Sequence, residues 1–369
     1  MRRRNSPISL PAKIPVIETQ AGKSALAQNH PMNFGAAGVD GSAAANALAR
    51  KADLVIGIGT RFQDFTTGSW SLFEAKNRRL ISINVQGYDA DKHGATGLVA
   101  DAKVALVGLS EVLGGHRAPT PDAGSRTEWL NAVNRHCAAP KGDGLPTDAQ
   151  VIGAVQRATD ENAIAMCAAG TMPGALKLLW QPSQGGYHME YGYSCMGYEI
   201  AGAMGLKLAR PEREVICFVG DGSYMMANSE LATAVMRKVP FTVVLTDNRG
   251  YACINRLQQA SGGEPFNNLY RDCNVEQQQQ IDFVAHAASM GAVAVKAKDI
   301  GDLEMKIGAA RRRDIPTVIV IETDPTNGPG FGGAGHWWDV AVPEVGATDK
   351  LKKAHARYLE GAAKQRLVN

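Results

Sequence analysis

Two short segments carry the residue types best suited to chemistry. Gly220-Asp221-Gly222-Ser223 ends the apolar run Val215–Val219, and Asn248-Arg249-Gly250 lies just beyond a second run, Phe241–Thr246. In open parallel sheets, ligands bind beyond the C-terminal ends of the strands, where Asp221 is expected. Gly220 and Gly222 allow a tight turn and close approach of the backbone to a ligand. The N–H groups of Gly222 and Ser223, entering a helix, can hold an anionic phosphate. A carboxylate beside such a cradle repels the phosphate unless a cation lies between them. A divalent metal bridging a diphosphate resolves that conflict. Mg²⁺ takes oxygen ligands in near-octahedral geometry, usually few from protein and the rest from phosphate and water. Asn248 follows Asp221 by 27 positions, room for one crossover helix and one adjacent parallel strand. The Asn248 amide oxygen and the Gly250 carbonyl can then join Asp221 at one ion.

These residues need a sheet to position them. Short β-branched runs predict strands at Ile14–Ile17, Leu54–Ile58, Leu80–Val85, Ala163–Cys167, Val215–Val219, Phe241–Thr246 and Thr317–Ile321. Helical stretches between them include Gly41–Arg50, Ala102–Leu113, Met196–Leu208, Ser229–Arg237 and Asp302–Arg312. Continuous apolar strands alternating with helices indicate an α/β fold with parallel sheets covered on both faces. The Gly- and Pro-rich stretch 114–121 marks a linker, placed at 116–121. The expected organisation is two doubly wound units, 1–115 and 122–345, and a helical tail over 346–369. The first unit lacks an opening strand–helix pattern over Met1–Lys13 and is expected to be partial.

The paired motifs resemble the signature of thiamine diphosphate-dependent enzymes, in which the Asp, the Asn and a carbonyl two residues later bind Mg²⁺ on the cofactor diphosphate. Asp247 departs from the Asn found there in many members. Cys167-Ala168-Ala169-Gly170-Thr171 resembles the family's first diphosphate loop, and Ser194-Cys195-Met196-Gly197-Tyr198 the segment beneath the bent cofactor. The resemblance implies cofactor contacts at Gly170, Thr171, Gly220, Gly222 and Ser223. It also implies that Met196 enforces the cofactor's V shape, with the Ser194 carbonyl and Met196 N–H on its aminopyrimidine. The metal ligands would be Asp221, Asn248 and Gly250. The units become a partial central domain and a diphosphate-binding domain.

Further words narrow the resemblance: Glu18–Ser24, Gln63–Ser69, Asn84–Gln86, Tyr191–Glu199 and His336–Val340. They resemble the branch of the family that hydrolyses a ring C–C bond of a polyhydroxylated cyclic diketone in inositol catabolism, giving 5-deoxy-glucuronate. His188, Glu190, Gln258, Asn274, His336 and Asp339 are candidate hydrogen-bonding partners for such a substrate. Carboligation of the acetolactate synthase type uses the same cofactor machinery and stays open, as does a non-catalytic cofactor-binding or assembly subunit. A flavin or nicotinamide site at Gly57-Ile58-Gly59 is disfavoured, because the third glycine of that fingerprint is missing.

Family members also have a pyrimidine-holding domain, whose glutamate helps activate the cofactor. No segment here matches it, so no catalytic residue is assigned. A homo-oligomer or pairing with a pyrimidine-domain chain is expected. With 39 Lys and Arg against 36 Asp and Glu, near-neutrality gives no electrostatic reason for nucleic-acid or membrane binding. No apolar run approaches a membrane span, and Arg2–Arg4 is not followed by the apolar core of a signal peptide. The six cysteines form no CxxC pair; several sit inside apolar segments, where buried free thiols are expected, in keeping with a reduced cytoplasm.

Overall fold

In the computed structural model, the described residues are 13–365, except 74, 76, 141, 143, 278–279 and 329–336. Eleven strands are found among them: β1 (Val16–Glu18), β2 (Asn33–Ala36), β3 (Leu54–Ile58), β4 (Arg79–Asn84), β5 (Thr96–Val99), β6 (Ile164–Cys167), β7 (Tyr187–Met189), β8 (Val215–Gly220), β9 (Thr242–Asp247), β10 (Val293–Ala297) and β11 (Thr317–Glu322). They form three sheets: a β1–β2 pair, a three-stranded β3–β4–β5 sheet and a six-stranded sheet ordered β10–β11–β9–β8–β6–β7. Every strand pairing within these sheets is parallel.

The large sheet follows from its sequence. A parallel strand buried on both faces must be apolar throughout, and Val215–Val219 are all buried. Alternate side chains serve opposite faces. Ile216 and Phe218 join a core with Val151, Leu176 and Leu303, while Val215, Cys217 and Val219 join one with Ile200, Leu231 and Phe283. The helices Asp148–Ala158 and Ile300–Ala310 thus cover one face, and Tyr198–Ala209 and Phe283–Ser289 the other. The fold is α/β, as expected.

Strand order decides where a ligand can sit. The chain leaves β6 for β7 on one side, then returns to β8 on the other side of β6. The crevice beyond the C-terminal ends of β6 and β8 is therefore a topological switch point, the usual ligand position in such sheets.

The earlier part of the chain is divided. Its β3–β5 sheet encloses a small core of Phe62, Trp70, Leu72 and Phe73. The β1–β2 pair instead sits against the large sheet's layer, where Phe34 and Ala44 enter the first large core. Gln28 N–H donates to the Pro182 carbonyl at 2.9 Å, and Gly185 N–H to that of Ser24 at 2.9 Å. The fully buried Lys177 donates to the Val39 carbonyl at 2.7 Å and lies 4.6 Å from the Phe65 ring centre. Burial pushes its pKa down to about 7, with nearby Lys23 adding to the fall and Asp40 opposing it. Residues 337–339 also cross over: Trp337 N–H donates to Ser71 Oγ and Asp339 N–H to Ser69 Oγ, both at 2.9 Å. A helix at Asp349–Lys364 ends the described chain.

Candidate functional site

Four loops meet at the C-terminal edge of the large sheet. They follow β6, β7, β8 and β9, and they carry the cofactor- and metal-binding residues expected from sequence. Gly220 ends β8 and Asp221 opens the short helix Asp221–Met226. Parallel pairing sets Gly220 beside Thr246 of β9, so the loop with Asn248 and Gly250 rises next to Asp221. Gly250 N–H donates to Asp221 Oδ2 at 3.0 Å.

The other Asp221 oxygen, Oδ1, is buried without a hydrogen-bond partner, and so is Asn248 Oδ1. Burial, then the neighbouring Asp247, pushes the Asp221 carboxyl up to about 7. Two buried acceptors with no donor are costly unless something positive reaches them. A cation between the loops would satisfy both. No group of three or more His, Cys, Asp and Glu able to hold a metal occurs among the described residues. The donor set expected from sequence, one carboxylate, one amide and one carbonyl, suits a hard cation that keeps several waters or phosphate oxygens.

The loop backbones are held for close approach. Gly250 has φ +144°, and a Cβ there would lie 2.4 Å from the Asn268 carbonyl oxygen. That loop is pinned by Tyr251 N–H to Asn268 O at 2.7 Å and Tyr270 N–H to Arg249 O at 3.0 Å. A Cβ on Gly222 would meet the Tyr251 ring at 2.7 Å, so any larger residue there would displace that ring.

The loop after β7 lies across the loop after β6. Ser194, itself at φ 56°, donates through its hydroxyl to the Ala168 carbonyl at 2.6 Å. Met196 is half-buried, so it is not simply core packing. The helix expected from Met196 begins at Tyr198, because Gly197 turns the chain and caps it. Gly170, Thr171 and Ser194 open onto a cleft of 1310 Å³, whose opposite wall carries Gln20, Arg61, Gln63, Asp64 and Phe65.

Among the described residues, the polar side chains expected to meet substrate do not line this cleft. Glu190 accepts the N–H groups of Gly192 at 2.6 Å and Cys195 at 2.7 Å, so it shapes its own loop. His188 pairs with the Tyr198 hydroxyl at 3.2 Å, and Gln258 with Asn268 at 2.5 Å. Asn274 and Asp339 are exposed, and His336 lies outside the described residues. Spacing alone did not reveal which wall faces the cleft. Sequence reasoning also passed over Glu199, which is 1% exposed and central to the loops. A lone acid within an otherwise Ala- and Gly-rich helix start was the available signal. Burial pushes its carboxyl above the ordinary range, opposed by hydrogen bonds from Ser223, Ala169 and Gly197.

Comparison with known proteins identifies the domains that carry these loops. Residues 168–321 match the family described as thiamine pyrophosphate enzyme, C-terminal TPP binding domain, and residues 11–109 match its central domain. The chain is 37% identical over 374 residues to a 3D-(3,5/4)-trihydroxycyclohexane-1,2-dione hydrolase of Geobacillus thermodenitrificans, covering 93% of this chain and 58% of that protein. A Bacillus cereus protein of the same name is 38% identical over 379 residues, with the same coverage. A second one from Bacillus cereus, hydrolase 2, is 38% identical over 391 residues, covering 96% of this chain and 60% of that protein. The chain thus spans less than two thirds of these curated relatives. With both domain matches falling on the two regions whose strand ends build the cleft, the chain belongs to the thiamine pyrophosphate enzyme family.

Proposed function

We propose that this chain supplies the central and cofactor-binding parts of a thiamine diphosphate- and Mg²⁺-dependent hydrolase that opens the ring of 3D-(3,5/4)-trihydroxycyclohexane-1,2-dione. The observation that carries it is the pair of buried, partnerless oxygens on Asp221 and Asn248 at the ends of adjacent central strands. In this reading Asp221, Asn248 and the Gly250 carbonyl hold Mg²⁺. Gly170, Thr171, Gly220, Gly222 and Ser223 hold the diphosphate. Ser194 and Met196 support the pyrimidine and fix the cofactor's bend. Thiamine diphosphate, when bound, supplies the nucleophilic carbon and the electron sink. The protein's part is to orient the diketone, exclude water until hydrolysis and hold the charges. Gln20 supports a hydroxylated ligand, since it lines the cleft with its buried Oε1 unpartnered.

The catalytic assembly also needs a pyrimidine-binding domain, on this polypeptide or another. Tyr193, Met225, Met226, Tyr251 and Ile254 support this reading, since they are exposed apolar residues beside the cofactor loops. Such a patch marks an interaction surface. No helix among the described residues is long and apolar enough to cross a membrane, in keeping with the proposed cytoplasmic site of action. The test is to combine the chain with a pyrimidine domain, Mg²⁺ and cofactor, then offer the cyclic diketone and, separately, pyruvate. Ring opening is expected. Acetolactate formed at a comparable rate would favour a carboligase instead.

A further inference from the structure

Glu199 is the acid the proposed chemistry leaves unused. It occupies the first turn of the Tyr198–Ala209 helix, yet its side chain turns inward. Ser223 Oγ donates to both carboxylate oxygens, at 2.8 and 2.9 Å. Gly197 N–H reaches Oε2 at 3.0 Å, and Ala169 N–H reaches Oε1 at 3.3 Å. Gly197 N–H also donates to Ser223 Oγ at 2.9 Å. One carboxylate therefore collects donors from three loops: after β6, after β7 and after β8.

We propose that Glu199 is a positioning residue that clasps these three loops in register, so that the diphosphate cradle is formed before any ligand arrives. The inference rests on reading those loops as the cradle. Donors from Ser223, Gly197 and Ala169 converge on it, so an ionised carboxylate fits where an amide does not. In Glu199→Gln, the side-chain NH₂ would face the N–H of Ala169 or of Gly197, and that bond to the side chain would be lost. The clasp also commits the Ser223 hydroxyl proton to Glu199. Ser223 would then serve the phosphate through its backbone N–H.

Hydrogen exchange on the ligand-free chain tests the clasp directly. Glu199→Gln should speed exchange about tenfold together in segments 168–171, 195–198 and 221–224. Calorimetry should show Mg²⁺–thiamine diphosphate affinity falling by a similar factor. Ser223→Ala retains both backbone bonds to Glu199 and should perturb mainly the last two segments. The double variant should add little to the worse single one, because both act through one unit. If Glu199→Gln does not fold, Ser223→Ala carries the exchange test. Faster exchange confined to residues around 199 would overturn the proposal, as would unchanged affinity with only a lowered Tm. Failure of wild type to bind the cofactor would instead remove the functional reading, and the exchange pattern would still decide the clasp.

Discussion

Asp221 is a carboxylate placed where water cannot help it, and that location has consequences for pH. Its folded pKa of about 7 stands above the ordinary 3.8. Between those values the folded, metal-free state holds a proton that the unfolded chain releases. Stability from this group is therefore fully present below pH 3.8 and is lost as pH rises towards 7, by about 4 kcal/mol at most. Under the proposed metal assignment, Mg²⁺ would bind the ionised form. The Tm increase caused by Mg²⁺ with cofactor is thus expected to be larger at pH 8 than at pH 5.5. Asp221→Asn should flatten the metal-free pH slope relative to wild type and abolish the Mg²⁺ response, both read by scanning calorimetry. Asn248→Ala removes a neutral ligand and should weaken Mg²⁺-dependent diphosphate binding by about tenfold. Binding by Asp221→Ala that equals wild type and ignores Mg²⁺ would end the metal assignment.

At the scale of elements, the central strands hold the site still. Phe218 is fully buried on β8, with its ring centre 6.1 Å from that of Trp180. Phe218→Ala should cost about 3–5 kcal/mol in urea unfolding, whereas Gly222→Ala should act mainly on ligand affinity, because it drives Tyr251 away. Such strands were legible in the sequence because burial on two faces leaves an unbroken apolar run. The same run, ending in Gly-Asp-Gly, made Asp221 stand out as a candidate. The expected strands fall within a residue or two of β1, β3, β4, β6, β8, β9 and β11. β2, β5 and β7 were not visible: they have only three or four residues, and Asn33, Gly97 and His188 interrupt their apolar character. Their pairing comes from neighbours in space. β10 escaped notice as well, since Lys296 breaks its apolar run. Glu199 was hidden for a related reason, as its partners Ala169 and Ser223 lie 30 and 24 residues away.

The whole molecule presents a proposed cofactor face bordered by exposed apolar side chains. Tyr193 is 92% exposed and Met226 56%, a cost to solubility that burial beneath another domain would remove. Acid–base help from a positioned group contributes about 10²–10⁴-fold in rate. The purified 369-residue chain with Mg²⁺ and cofactor is accordingly expected to turn over little substrate until a separately expressed pyrimidine domain is added. Substantial turnover by the chain alone, measured as ring opening, would show that a local acid has been overlooked.

The bonds from Trp337 and Asp339 to Ser71 and Ser69 join residues 266 and 270 positions apart in the chain. Contacts of such long range must overcome a large loop-closure entropy before they return any free energy. This seam should therefore be among the last parts of the molecule to assemble during refolding and among the first to open. The cleft wall containing Phe65 and Trp338, whose rings meet edge to face at 5.5 Å, would then mature after the large sheet. Refolding followed by tryptophan fluorescence should lag behind recovery of far-ultraviolet circular dichroism, and limited proteolysis should nick the chain near residues 337–340 while the sheet remains intact.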